Sequence, residues 1–448
     1  MITRICLILA LLTAIPGWSQ ATGTDEQPDN PVANSGMLTP PPVSGEAYPV
    51  ATGDEVRNNY VNLGIAGEIG YDDNVAAGYS SKPASDVIFS LWPTVTFDKE
   101  TPQLKGQFNY SPGFSFYEPT STLNESDQNA SANFDFHPSH TASLSLQDSF
   151  LRSSTIFSQP FGAGQGDISG SAPPQVTGVV PPFADRISNA ATLQLSDEAQ
   201  DNLMFGVGAQ YGQLDYPNTS QVAGLYNSIS YGGSAFMSIR AASRQYLGGN
   251  VQHTRIVSYL KGTDSTLQSD NLFAFYTIYL RNSPKSTFSL SFTGGPERYI
   301  AMQAPQPSVQ AWAPAGTVAV GWQAHLSSLS ANYSHNVAGG GGLPGAYTED
   351  RLRALFRREI THTWAANVSG VYSRNENLTS SYPFSEPGGH TVTFSVSAEH
   401  QVSRNLKYAF GYDRVDETYT GIGAFANLPG SNHEYFSISY QVMRPLGR

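Results

Sequence analysis

The chain has 448 residues, a charged fraction of 13% and a formal net charge of −12. That acidic balance excludes the basic footprint a nucleic-acid partner needs, and the charged fraction sits well below the roughly 25% of an ordinary soluble globule. Cys6 is the single cysteine, so once the N-terminus is removed, disulfides, thiolate metal sites and a cysteine nucleophile are excluded.

The first predicted element is a signal peptide over residues 1–21. Arg4 precedes the apolar run Ile5–Ile15, and Pro16, Gly17, Ser19 and Ala21 supply small residues for cleavage. The run is far short of the ~20 residues of a spanning helix. Cys6 lies at the start of the run, not after it, which argues against lipoprotein processing. An exported chain without thiols suits an oxidising periplasm. Residues 22–55, with Pro40, Pro41 and Pro42, lack periodicity and read as a Pro-rich, disordered periplasmic leader.

From about residue 56 to 448 the chain alternates in steps of two. Phe288, Leu290 and Phe292 interleave with Thr287, Ser289 and Ser291; Val392, Phe394 and Val396 interleave with Thr393, Ser395 and Ser397. A period of two gives each strand one apolar and one polar face. Eighteen strands are predicted, at roughly 60–71, 85–98, 102–117, 125–137, 140–152, 186–197, 200–213, 225–240, 243–257, 267–282, 285–296, 308–324, 326–336, 347–359, 361–374, 388–401, 404–414 and 432–444. Short turns at Lys99–Thr101, Pro138–Ser139, Glu198–Ala199, Ala241–Ala242, Ser283–Pro284, Ile360 and Val402–Ser403 alternate with longer segments, the longest being Arg152–Asp185.

A soluble sandwich shows the same dyad. The secretory signal, the strand length and the short-loop, long-loop alternation choose a different solvent. They predict an all-β fold, a transmembrane antiparallel up-and-down β-barrel of about 18 strands, within 16–20, with both termini in the periplasm. Mean hydropathy is only −0.28, as expected when half of every strand faces a polar lumen.

With the apolar set facing lipid, ring residues gather near strand ends. Phe97, Phe136, Trp322, Trp364 and Leu406–Tyr408 fall on the periplasmic side; Tyr71, Phe116, Phe150, Tyr372 and Tyr412 fall on the outer side. Pro93 and Pro112, both on the lipid parity, predict a bulge or local break. Asp148 also has lipid parity, from a register shift or from a place above the hydrocarbon; the second is simpler. Arg351, Arg353, Arg357, Lys105 and Lys407 point inward, as do Glu399, Asp135 and Asp413. These lumenal charges either set ion selectivity or pair across strands and stiffen the wall. Pairing is favoured, and the arginine ladder is the best candidate for attracting anions.

No catalytic, cofactor or metal site is predicted. His137 and His140 flank Pro138 in a tight turn, whereas a zinc-protease motif needs a helix. Gly339–Gly342 has no following lysine or helix. No serine sits in a nucleophile elbow. Asp72, Asp73 and Asn74 fall short of the six to eight oxygens of a calcium site and read as a solvated turn.

Tyr71-Asp-Asp-Asn74, Ser85-Asp-Val-Ile-Phe, Thr96-Phe-Asp-Lys-Glu-Thr-Pro, Phe108-Asn-Tyr-Ser-Pro-Gly-Phe-Ser-Phe-Tyr and Thr141-Ala-Ser-Leu-Ser-Leu-Gln-Asp-Ser-Phe resemble the β-barrel porin-2 family. The match is clearest over about residues 60–155. The closing Tyr435–Arg448 is similar to the C-terminal assembly strand of outer-membrane proteins, departing from it by ending in Arg444-Pro-Leu-Gly-Arg. The resemblance implies a porin-like barrel, and some similar barrels accompany exopolysaccharide export.

The function expected is a porin-like outer-membrane channel of a Gram-negative cell for passive diffusion of small hydrophilic solutes or ions, since 16–18 strands leave an aqueous lumen. The loop Arg152–Asp185 is the expected constriction. The alternatives are a barrel partner of polysaccharide secretion and a plugged structural or adhesive barrel. The expected partners are the lipid bilayer and the outer-membrane assembly machinery. A homo-oligomer is allowed by analogy with trimeric porins, without a sequence feature of its own.

Overall fold

The computed structural model describes residues 59–75, 83–155, 183–218, 225–260, 263–283, 286–303, 307–339, 345–378, 388–420 and 430–446, all within the unit Gly36–Arg448. The signal-peptide segment with Cys6, the leader 22–55, residues 156–182 of the long loop and residues 340–342 of the glycine run lie outside the described residues.

Eighteen strands follow in order: β1 (Tyr60–Asp72), β2 (Asp86–Glu100), β3 (Leu104–Glu118), β4 (Glu125–Phe136), β5 (Ala142–Thr155), β6 (Phe183–Gln200), β7 (Leu203–Asp215), β8 (Asn227–Ala242), β9 (Gln245–Leu260), β10 (Thr263–Ser283), β11 (Ser286–Gln303), β12 (Val309–Ala324), β13 (Ser327–Ala338), β14 (Tyr347–Glu359), β15 (Trp364–Asn377), β16 (Gly388–Gln401), β17 (Leu406–Thr420) and β18 (Ser431–Pro445). Each pairs antiparallel with its neighbours in sequence. β1 also pairs with β18, from Tyr60↔Pro445 to Asp72↔His433, so the sheet is one closed ring of 18 strands. Closure leaves no edge whose amides would need another partner.

The predicted bounds of β14 and β16 coincide with those observed. Turns predicted at Glu198–Ala199 and Ala241–Ala242 lie further on, at Asp201–Asn202 and Ser243–Arg244. Register shifts between Glu198 and Gln200 and between Arg240 and Ala242 absorb one residue each, which lets both ladders run on. β10, β11 and β17 also outrun their predicted ends. Only residues 261–262 separate β9 from β10 where a longer segment was expected. Backbone pairing with an already formed neighbour extends these strands, a gain that side-chain alternation does not report.

Large apolar side chains stand outward on alternate residues all round the ring, among them Ile69, Phe116, Val207, Leu272, Phe394 and Ile438. So extensive an apolar outer surface fits lipid, not water. The ring residues predicted for the two girdles share this outward parity. On β15–β18 they form a continuous strip: Trp364 lies 4.5 Å from His400 and 6.1 Å from Tyr408, and Phe410 stacks on Phe436 at 6.5 Å. Amphipathic rings at one level belong at a lipid–water boundary.

Pro93 and Pro112 stand opposite one another. The β2–β3 ladder stops at Leu91↔Phe114 and resumes at Val95↔Tyr110 in the same register. This is a break without a bulge, because two facing residues without N–H groups leave no bond to make. Pro296 and Pro314 also face each other, on β11–β12, where the pairing runs on without a gap. Asp148 keeps outward parity through an unshifted ladder with Ala132 and Ala191, which rules out a register shift there, and accepts a bond from Asn189 Nδ2 at 3.0 Å.

The Asp72-Asp73-Asn74 turn is the barrel's seam rather than a solvated turn. Asp72 Oδ1 accepts from the Asn74 N–H and from Ser431 Oγ, both at 2.7 Å, while Asp73 accepts from the Asn432 N–H at 2.8 Å and its side-chain amide at 2.6 Å. These carboxylates tie the first strand to the last, and the two oxygens of Asp73 are both occupied by Asn432.

Candidate functional site: the barrel lumen

The lumenal face is built from the polar half of each dyad. Hydroxyl pairs bridge neighbouring strands: Ser90 with Ser115 at 2.9 Å, Ser143 with Ser196 at 2.6 Å, and Thr277 with Ser291 at 2.9 Å. Lumenal rings are held flat on this wall because glycines lie beneath them. A Cβ on Gly113 would stand 2.5 Å from Trp92 Nε1, one on Gly206 2.4 Å from Phe236, one on Gly248 2.4 Å from Phe275, and one on Gly411 2.3 Å from Tyr435. Each glycine gives a ring a seat, so the ring is buried although it faces inward.

The lumenal candidates named from sequence occupy the following places. Arg351, Arg353 and Arg357 share the inner face of β14, and Lys105, Lys407 and Glu399 lie on the inner faces of β3, β17 and β16. Glu399 gathers two of the cations. Its Oε1 lies 3.6 Å from Arg357 and its Oε2 3.2 Å from Lys407 Nζ, while Asn367 Nδ2 donates to Oε1 at 2.7 Å. Arg357 in turn donates to Asn367 Oδ1 at 3.3 Å. This node lies towards the end of the barrel that carries the short turns.

A second set stands at the long-loop end, of which sequence reading named Asp413 as inward and Asp72 as a turn residue but passed over Glu349, Glu417, Glu68 and His433. On the inner faces of β14–β18 and β1 stand Glu349, Glu417, Asp413, Glu68 and Asp72, all but Asp413 nearly or fully buried, with His433 Nε2 3.6 Å from Glu68 Oε1. Each has the same parity as the arginine ladder, and that signal could have found them. Across the lumen, Tyr216, just beyond β7, is buried and its hydroxyl has no hydrogen-bond partner among the described residues. Burial pushes its pKa up. Arg186 of β6 pulls it down and Glu417 of β17 pushes it up, so both charges are within electrostatic reach of Tyr216.

An inward element comes from the β13–β14 hairpin. The β12–β13 ladder ends at Gly316↔His335, yet β12 continues to Val309 against β11, and β13 continues to Ala338 against β14. Above His335 the two strands therefore part. Val337 N–H donates to Glu297 Oε2 of β11 at 2.9 Å, beyond the intervening β12, and Ser269 Oγ donates to the other oxygen of Glu297. Val337 has the outward parity of Tyr333, yet it packs with Ala346 on the inner-face residues Leu267, Tyr299 and Ala301. A residue of outward parity can meet its neighbours' inner faces only if its strand has swung inside them. Ala311 and Ala313 of β12 leave the room for this, and Gly339 lies against Ile256 of β9.

The closed antiparallel ring, the apolar outer band and the polar inner wall define a transmembrane β-barrel of outer-membrane type. No protein-family model matches the chain, and no curated protein matches it. Solved structures similar to it include Pseudomonas aeruginosa OccK2 (OpdF), with 8% identity, TM-score 0.42, and coverage of 87% of this chain and 98% of that one. The outer membrane protein OprD from Pseudomonas aeruginosa has 10% identity and TM-score 0.38, covering 89% and 98%. A bacterial polysaccharide outer membrane secretin has 10% identity and TM-score 0.34, covering 86% and 99%.

Proposed function

We propose that the chain is a porin-like channel of a Gram-negative outer membrane, through which small hydrophilic solutes or ions diffuse passively. The observation that carries this reading is the ring of 18 strands with a polar inner face, a size at which barrels enclose an aqueous lumen instead of a packed core. The sequence resemblance to the β-barrel porin-2 family over residues 60–155 supports it. Export through a cleaved signal peptide over residues 1–21 and insertion by the assembly machinery through β18 complete the proposal.

Arg351, Arg353, Arg357, Lys105, Lys407 and Glu399 are the proposed selectivity residues of the turn-end half. Arg357 and Lys407 both meet the carboxylate of Glu399, and charges standing on a lumenal wall bias which ions pass.

Single-channel recording of the refolded barrel in a planar bilayer tests the proposal. Reproducible conductance steps, with selectivity altered by Arg353→Ala, are the expected result. A folded but silent barrel would overturn it in favour of a plugged barrel or a secretion partner.

A further inference from the structure

Above the pair Gly316↔His335, one edge of β12 is left open. Residues 309–315 pair with β11 on one side, and no strand among the described residues pairs with them on the other. Trp312, on this stretch, stands outward and 65% exposed. β13 has left that edge but not its other partner, since the β13–β14 ladder runs on to Ala338↔Tyr347. At the fork, Asp350 Oδ1 of β14 accepts from Tyr333 Oη at 2.6 Å and lies 2.8 Å from His335 Nδ1. These contacts fasten β13 to β14 on the outer face, so above the fork the two strands move as one hairpin.

Two seats fit the end of that hairpin. The one it occupies offers an acceptor and an apolar patch instead of a ladder: the Val337 N–H donates to Glu297 Oε2, and Val337 and Ala346 pack on Leu267, Tyr299 and Ala301. The other is the open edge of β12. Carried on in the register of Gly316↔His335, β13 would set Asn336 against Ala315, Val337 against Pro314, Ala338 against Ala313 and Gly339 against Trp312. The faces agree at every step. Ala313, Ala315, Asn336 and Ala338 have inward parity, Pro314 and Val337 outward parity, and Gly339 leaves room for the Trp312 ring. This ladder is weaker than a full one, because Pro314 has no N–H to give. Neither seat holds the hairpin end by a complete set of strand bonds, which suits an element with two discrete arrangements.

We infer that the end of the β13–β14 hairpin is a gate with these two positions. Seated on Glu297, it narrows the lumen. Zipped onto β12, it completes the wall and clears the lumen at that level. The exchange keeps the β13–β14 ladder whole. Val337 gives up Glu297 for the β12 edge, and its side chain passes from the inner faces of β10 and β11 to the outer surface. This deepens the channel reading by naming a moving part, and it rests on that reading for its purpose, though not for the detection of the two positions.

Engineered disulfides in the folded full-length barrel test it, with Cys6→Ser in every variant so that no native thiol remains. Ala313 directly faces Glu297 and lies against the same apolar cluster as Val337. In the seated position Val337 faces this wall, and Ala338, on the opposite face of its strand, turns away from it. In the zipped position Ala338 is the direct partner of Ala313, at the Cα spacing a disulfide needs. The pair Ala313→Cys/Val337→Cys therefore bridges the seated hairpin, and the pair Ala313→Cys/Ala338→Cys the zipped one. Copper phenanthroline drives the oxidation, loss of maleimide labelling reads it, and heat-modifiable gel mobility shows that each variant is folded. Both pairs should bridge. In planar bilayers the zipped bridge should conduct more than the seated one, and dithiothreitol should abolish the difference. Either pair staying reduced in the folded barrel, or equal currents from the two bridged forms of a conducting barrel, would overturn the inference. Bridging requires no current. A silent barrel in which both pairs bridge would therefore fail the channel reading alone, and a conducting barrel whose zipped pair stays reduced would fail this gate alone.

Discussion

Val337 donates its backbone N–H to a carboxylate oxygen of Glu297 at 2.9 Å, although β12 lies between their strands. That bond fixes the end of the β13–β14 hairpin inside the ring, where it narrows the lumen over the inner faces of β9–β12. Glu297→Ala leaves a buried donor unpaired, a local cost of about 1–3 kcal/mol, and should raise single-channel conductance as the hairpin end loosens. Glu297→Gln keeps an acceptor and should stay near the wild-type value. Unchanged conductance in the alanine variant would show that this end does not narrow the pore.

Phe394 and Thr393 are neighbours on β16 with opposite faces: Phe394 stands outward and exposed, Thr393 inward. Near mid-strand, Phe394→Arg should cost about 2–4 kcal/mol, the penalty for a cation at the midplane of the lipid face. Thr393→Arg should cost much less and change ion selectivity instead. Equilibrium unfolding in lipid vesicles measures the first and reversal potentials the second. Equal costs at the two positions would refute the face assignment.

Glycines under lumenal rings should not accept a methyl group. At Gly206 a Cβ would come within 2.4 Å of Phe236 and 2.6 Å of the Leu195 carbonyl oxygen, whereas at Gly233 the nearest atom is 3.7 Å away. Gly206→Ala should destabilise the barrel by about 1–3 kcal/mol through overpacking, and Gly233→Ala should be far milder. Denaturant midpoints of the two variants check the contrast.

Glu399 neutralises part of the charge on Arg357 and Lys407. Glu399→Gln should move selectivity towards anions, read as a shift in reversal potential across a salt gradient. Because the Arg357 and Glu399 side chains are only 14% and 10% exposed, it should also cost about 3 kcal/mol, the low end for breaking a buried pair. A reversal potential that does not move would place the selectivity filter elsewhere in the lumen.

The sequence by itself determined the strands and which way each side chain faces. Alternation is a local property: once Phe394 faces lipid, Thr393 and Ser395 must face the lumen. The parity of Arg351, Arg353 and Arg357 was legible for the same reason, and so was that of Glu349 and Glu417, which went unread. What only the tertiary structure decided depends on register, on which residue of one strand stands opposite which of the next. Pro93 meets Pro112, and the ladder breaks without a bulge. Tyr419 and Asn375 bond over Gly389, and Trp92 settles on Gly113. Asp72 and Asp73 close the ring on Ser431 and Asn432, partners from the far end of the chain. The swing of Val337 inside β12 reverses what its own parity implies, because β13 parts from β12 above His335 and is held by Glu297 instead. A one-dimensional pattern carries each residue's face but not its opposite number, and in this lumen the opposite number decides which charges are paired and which rings lie flat.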